Sequence, residues 1–249
     1  MNNVDYLVNK IKQVIPMEIL KLTFSNEDYY GLNIIPIPIE NQIKDKIIYD
    51  IVGKDISMVG GIEQLIDISN IGPRYVTMGM IYDIGMGPTG GKRITSVLSV
   101  SYGWNALSSG AASIASAVSA PLQTSDARVE LIGLNVAFVM GYSAIQITNL
   151  RCILEYSKGF DEINPRSIVV LSDLAILATK AYIYTNLSIK IRNAVVTMGK
   201  DMSKIESYID DLKDSFDMYT ELLTKRWQKV SILNDAVTKN RIIRMTIPG

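Results

Sequence analysis

Histidine is absent from the 249 residues, and cysteine occurs once, at Cys152. Without histidine there is no Ser-His-Asp or Cys-His nucleophile pair, no imidazole acid–base catalysis and no histidine metal site. A single cysteine can neither close an intramolecular disulfide nor build a zinc centre. Net charge is lacking too, since Lys+Arg is 25 and Asp+Glu is 25. A surface devoted to nucleic acid would be basic, so that reading is disfavoured from the start. The chemistry that remains belongs to carboxylate, lysine, tyrosine or serine, and composition favours a structural or binding protein. Hydrophobic residues make up 48% of the chain, enough for a sizeable core and too many for wholesale disorder.

Clean apolar runs of membrane-spanning length are also missing. Residues 1–15 carry Asp5, Lys10 and Lys12 where a signal peptide has its unbroken apolar region. Leu98 to Pro121 is rich in Ser, Gly, Asn and Ala. Val129 to Leu150 contains Glu130, Asn135 and Gln146, and Ile168 to Ile189 contains Asp173 and Lys180. The expectation is a protein without a membrane span.

What is present reads first as helix. Val4, Leu7, Val8, Ile11, Val14 and Ile15 recur at helical spacing until Pro16, which can open a second helix from Met17 to Phe24. Gly31 to Ile39 holds Pro36 and Pro38 and reads as an extended arm or edge segment. Ile47 to Val52, Ile56 to Val59 and Glu63 to Ile68 are strand-length and bounded by turn residues. Val76 to Ile84 and Arg93 to Tyr102 are stronger strand candidates, and the second alternates Ile94, Ser96, Leu98 and Val100 against the intervening residues. Trp104 to Ala120 is a small-residue stretch compatible with a helix or a loop. Val129 to Met140 and Ala144 to Glu155 read as two further strands, broken by Gly141.

The character changes after Pro165. Ser167 can cap a helix that is apolar on nearly all sides from Ile168 to Ile189 and should be buried. Asp201 or Ser203 can cap the next helix. Its apolar seam is Ile205, Ile209, Leu212, Phe216, Tyr219, Leu223, Trp227 and Val230, in coiled-coil-like steps of three and four. The expected fold is α+β: residues 1–160 form an N-terminal helix and a β-rich, sandwich-like body, and residues 161–249 form a helical region with a long helix packed on it.

Four motifs could carry chemistry. Gly87-Pro-Thr-Gly-Gly-Lys92 resembles a phosphate loop at a glance, but the position where that loop needs its first glycine is Met86, and Arg93 follows the lysine. A strand pattern also follows, where a phosphate loop opens a helix. A hairpin loop fits better. Glu206, Asp210, Asp214, Asp217 and Glu221 share one helix face, with Asp211 beside them, and read as a solvated face or a contact for a basic partner. Lys225, Arg226, Lys229, Lys239, Arg241 and Arg244, against Asp235 alone, make the last 25 residues net +5. This tail suits an acidic neighbour better than DNA, for instance the carboxylate stripe of another subunit. Cys152 reads as a buried, inert thiol, and Tyr182 and Tyr184 read as core or interface residues. No catalytic residue, cofactor-binding residue or metal ligand is expected, and no cofactor.

Several short phrases occur in a suggestive order: Ile15-Pro-Met-Glu-Ile-Leu20, Val59-Gly-Gly61, Ile81-Tyr-Asp-Ile84, Gly91-Lys-Arg-Ile94, Ser99-Val-Ser-Tyr-Gly103, Leu150-Arg-Cys152, Lys180-Ala-Tyr-Ile-Tyr184 and Leu233-Asn-Asp235. Together they resemble virion structural proteins of large tailed bacteriophages, of the neck, tail or baseplate type. The resemblance brings no catalytic motif. It implies an assembly subunit in several symmetric copies, located in the virion after assembly in the host cytoplasm. Its partners would be copies of itself and other virion structural proteins, not a membrane. The expected interface residues are Ile205, Ile209, Leu212, Phe216, Tyr219, Leu223, Trp227, Arg241 and Arg244. Two alternatives stay open: an enzyme or ligand-binding protein using Gly85–Gly91, and a channel lining that touches nucleic acid through the basic tail.

Overall fold

The computed structural model describes residues 2–24, 37–102, 124–125, 128–140, 147–198, 203–232 and 234. Most of the proline-containing arm, Trp104 to Ala120, the Asp201 cap, the Gly141 break and the basic tail beyond residue 234 lie outside them. The chain forms two compact units. One, helical, joins residues 1–60 to 157–239, and the other, built of sheets, takes residues 61–156 with 240–249. The expected division at residue 160 is therefore not the grouping observed. The N-terminal segment belongs with the C-terminal helices, because those helices supply the apolar surface its own buried face needs.

The helical unit opens with α1 (Asn3–Val14) and α2 (Met17–Phe24), as the periodicity predicts. The Asn2 side chain caps α1 by accepting from the Val4 amide at 3.3 Å. Val4, Leu7, Val8 and Ile11 form its buried stripe. Pro16 separates the helices, and its carbonyl starts α2 by accepting from the Leu20 amide. Lys12 pairs with Glu40 at 2.9 Å and Lys44 with Asp5 at 2.7 Å, tying α1 to the next helical stretch. Both pairs are half exposed, so they guide packing more than they stabilise it.

That stretch is a correction. The expected strands at Ile47–Val52 and Ile56–Val59 are helical, within α3 (Ile39–Ile43), a π-helix π1 (Lys44–Gly53) and α4 (Lys54–Gly60). The buried residues are Ile43, Ile47, Ile48, Val52 and Ile56. Ile43 and Val52 are nine residues apart, about two and a half turns at 3.6 residues per turn, so an α-helix would point them in opposite directions. The wider i→i+5 winding returns them to one face. Short isoleucine runs therefore look like strands in sequence and act as a π-spaced apolar stripe in the fold.

The long helix α5 (Pro165–Met198) is the centre of this unit. Its cap is Asn164, not Ser167: the Asn164 side chain accepts from the Arg166 amide at 3.0 Å, and Pro165 takes the first helical position. Ser167 is fully buried one turn in and donates to the Val230 carbonyl at 3.3 Å. Leu171, Leu174, Ala175, Ala178, Ile183 and Leu187 are buried. Helices α1, α2 and π1 pack on α5, as do α6 (Ser203–Asp210), α7 (Ser215–Leu222) and the π-turn π2 (Leu223–Trp227). The Tyr182 ring stacks on Phe24 at 5.5 Å. The stretch Pro165–Ser188 is long and apolar enough to cross a membrane, and here 44% of its most apolar window is buried inside the protein.

The sheet unit contains two four-stranded antiparallel sheets, in the orders β1-β8-β4-β5 and β2-β3-β7-β6. Their strands are β1 (Ile62–Asp67), β2 (Arg74–Val76), β3 (Gly79–Asp83), β4 (Ile94–Tyr102), β5 (Thr124–Ser125), β6 (Val129–Gly133), β7 (Val136–Met140) and β8 (Ile147–Leu154). Residues of both sheets share one core, including Ile66, Met80, Tyr82, Ile94, Val100, Val139, Leu150 and Cys152. This agrees with the expected sandwich-like body. Two expected strands prove to be hairpins. Val76 to Ile84 reverses at Thr77-Met78, and Val129 to Met140 reverses at Leu134-Asn135. In β4, register shifts between Ile94 and Ser96 and between Val97 and Ser99 turn Leu98 outward, 47% exposed, so its alternation fails there.

The close approach at Gly60 gives a test. A Cβ there would lie 2.2 Å from Ser231 Oγ and 2.5 Å from its Cβ. Gly60→Ala is expected to destabilise the protein by about 1–3 kcal/mol, the usual range for overpacking. Urea denaturation should show a lower midpoint at unchanged slope.

Candidate functional site

The glycine-rich loop Gly85–Lys92 leaves β3 and returns to β4, held by the buried Asn135 and by the buried Thr89, whose hydroxyl bonds the Met86 carbonyl at 3.1 Å and the Lys92 carbonyl at 2.7 Å. Asn135 sits in the β6–β7 turn at φ +53°, a left-handed conformation that asparagine tolerates, and is 1% exposed. Its side-chain Nδ2 donates to the Gly85 carbonyl at 2.9 Å and the Lys92 carbonyl at 3.0 Å, at the two ends of the loop. Met86 Sδ (3.1 Å) and Thr89 Oγ1 (3.3 Å) lie beside the same nitrogen. Its Oδ1 accepts from the Ile94 amide at 2.8 Å, and its backbone carbonyl accepts from the Ile84 amide at 3.0 Å. Both amide protons of Asn135 are thus used, and its carbonyl oxygen is occupied.

Three of the loop's own amides are also spent. Gly90 donates to the Gly87 carbonyl at 3.1 Å, Gly91 to Met86 at 2.8 Å and Lys92 to Thr89 at 3.3 Å. The left-handed φ values of +62° at Gly90 and +80° at Gly91 serve this self-bonded turn. A phosphate cradle needs amides pointing outward, and these three point in. What the loop and the hairpin turn display instead is apolar. Met86 is 42% exposed and Leu134 57%, one on each side of the buried Asn135, and Ile132 of β6 is exposed near them in sequence.

The expected interface seam has a different occupant. Ile209, Leu212, Tyr219, Leu223 and Trp227 are buried inside the helical unit, and Ile205 and Val230 are half-buried. The seam is filled by this chain's own helices. Trp227 donates from Nε1 to the Ile56 carbonyl at 3.2 Å, and the Tyr219 hydroxyl donates to Asp55 Oδ2 at 2.7 Å. Phe216 departs from the seam at 64% exposure, with Ser215 buried in its place. The cause is a turn at residues 211–214, which resets the helical phase between α6 and α7. Arg241 and Arg244 lie outside the described residues.

The carboxylates Asp210, Asp211, Asp214, Asp217 and Glu221 are exposed, and Glu206 is half-buried. Among the described residues no group of three or more Cys, Asp or Glu is placed to hold a metal ion. Cys152 is buried in the sheet core, and burial pushes its thiol up to about 12, which fits the inert thiol expected of it. Sequence reasoning missed Asn135. The signal available was the triplet Gly133-Leu-Asn135, turn residues inside an apparent strand.

Two tests follow from these contacts. Burial first, then the hydrogen bond to Asp55, raises the Tyr219 phenol above its ordinary value. A raised folded pKa stabilises the fold fully below the unfolded value of about 10, and the stabilisation declines as pH climbs toward the folded value. Wild-type protein should lose stability above about pH 10 more steeply than Tyr219→Phe, measured as melting temperature against pH. Replacing Asn135 by glycine keeps the left-handed backbone and deletes the side-chain bonds. Asn135→Gly should cost about 2–4 kcal/mol, because several buried groups lose partners. Amide exchange should accelerate at Gly90, Gly91 and Lys92.

No curated protein and no solved structure matches the chain. A family model does match, and it covers residues 1–249. Over its whole length the chain belongs to the family of unknown function DUF7484.

Proposed function

We propose that this chain is a non-enzymatic structural subunit of a tailed-phage particle, of the neck or connector, tail or baseplate. It acts by forming interfaces with copies of itself in an oligomeric ring and with other virion structural proteins. Its place is the virion, after assembly in the host cytoplasm. The observation that carries the reading is the pinned tip of the sheet unit. A buried Asn135 ties the loop that carries Met86, 42% exposed, to the turn that carries Leu134, 57% exposed. A pre-ordered apolar tip loses little entropy when it docks, which suits a permanent contact. The ordered series of short phrases supports the phage assignment.

The ligand-binding alternative is weaker for a stated reason. The loop it would use has three amides already bonded within the loop and an asparagine with no spare donor. The acidic and basic surfaces suit protein contact more than an even coat of charge on DNA.

Purified phage particles provide the test. Quantitative proteomics should find this chain in virions at a fixed multiple-copy ratio to the portal protein. Absence from particles, with the chain recovered only from the soluble lysate, would overturn the proposal.

A further inference from the structure

The helical run α6, α7, π2 and α8 (Gln228–Ser231) carries an uneven distribution of exposed charge. In its first half Asp211, Asp214 and Asp217 are exposed, with Lys204 and Lys213 as the exposed basic residues. In its second half, from Leu223 to Ser231, Lys225, Arg226 and Lys229 are exposed and there is no carboxylate. Glu221 already pairs with Lys225 at 2.8 Å within the run. No ion pair forms at Asp211, Asp214, Asp217, Arg226 or Lys229 among the described residues. From Asp214 to Arg226 is about 18 Å at 1.5 Å per residue, more than a Debye length at physiological salt, so beyond the Glu221–Lys225 pair the two ends do not neutralise each other.

The inner side of the run is the buried seam. The outer ridge is its opposite, formed by Asp217, Glu221 and Thr224, with Thr220 beside them. Phe216 and Met218, 64% and 55% exposed, flank this ridge on its two shoulders, two residues or about 200° apart. The ridge is therefore polar along its crest, apolar at its flanks, negative at one end and positive at the other.

We infer that this ridge docks on the same ridge of a second copy, in antiparallel orientation. An antiparallel copy brings each acidic half onto a basic half, so one contact satisfies both ends at once. With Thr220 near the two-fold axis, Asp214 faces Arg226 of the second copy and Asp211 faces its Lys229. Phe216 and Met218 cover the sides. Such a contact is isologous and self-complementary. A parallel copy would set like charges against each other, so charge alone selects the orientation. The inference rests on the homo-oligomer element of the proposed function and names the surface that forms the contact.

The test uses the full chain and measures mass by analytical ultracentrifugation or light scattering. Wild-type protein should self-associate, and its dissociation constant should rise as salt increases from low to molar concentration. The double variant Asp211→Lys/Asp214→Lys should raise the dissociation constant about tenfold or more. Adding Arg226→Glu and Lys229→Glu to it should restore association. Far-ultraviolet dichroism and melting temperature confirm that each variant is folded, as expected for substitutions at exposed sites. A wild-type chain that stays monomeric at low salt overturns the inference. So does association that survives the charge reversal, or a swapped variant that fails to recover. None of these results bears on the presence of the chain in particles, so this inference and the virion assignment fail separately.

Discussion

The helical unit depends on one constraint, the burial of α5. Along this helix Leu171, Leu174, Ala175, Ala178, Ile183 and Leu187 form a buried stripe, while Val169 stays 58% exposed. A stripe this long needs a jacket of several neighbouring helices. The jacket comes from both sides of the sequence: α1, α2 and π1 from before the sheet unit, and α6, α7 and π2 from after α5 itself. This demand explains why residues 1–60 join residues 157–239 in one compact unit. It also explains the fate of the amphipathic seam. Ile209, Leu212, Tyr219, Leu223 and Trp227 are part of the jacket and are consumed within the chain.

The sheet unit depends on a smaller anchor of the same kind. A two-residue turn places Asn135 in a left-handed conformation, and its side chain then joins both ends of the glycine-rich loop. Backbone groups that would otherwise need water or a ligand are satisfied inside. The result is a hairpin loop tied at both ends, with Met86 and Pro88 exposed on it. The amides of Gly90, Gly91 and Lys92, bonded within the loop, agree with the failed phosphate-loop spacing.

In π1 the wider winding keeps buried residues aligned over a spacing that an α-helix would rotate away. The stretch from Ile43 to Val52 needs the wider turn, whereas Leu223 and Trp227 of π2, four residues apart and both buried, would share a face in either winding. Tertiary demand sets the winding of π1, at the expense of the better hydrogen-bond geometry of the α-helix. The interruption at residues 211–214 has the opposite effect. It resets the phase so that Ser215 turns inward and Phe216 turns out.

Much of the architecture is legible in the residues themselves. The 3.6-residue period from Val4 to Ile15 and the proline after it specify α1 and α2, and the apolarity after Pro165 specifies a long helix, although the structure buries a stripe of it and not every side. The counts of histidine and cysteine exclude whole classes of chemistry with no structure at all. Local rules also identify β1, β4 and β8, whose apolar residues are bounded by turn residues. Other features depend on partners far along the chain. Isoleucine runs near residues 47–59 suit strand and helix alike, and only packing against α5 selects the helical form. The capping role passes from Ser167 to Asn164 because Ser167 is needed inside, against the Val230 carbonyl. Hairpins at Leu134-Asn135 and Thr77-Met78 resemble single strands until cross-strand pairing divides them. The sequence by itself determined which surfaces are apolar and which chemistry is impossible, because those are properties of residue type and period. Only the tertiary structure decided which apolar surfaces meet within the chain and which stay exposed, because that choice rests on contacts between segments more than a hundred residues apart.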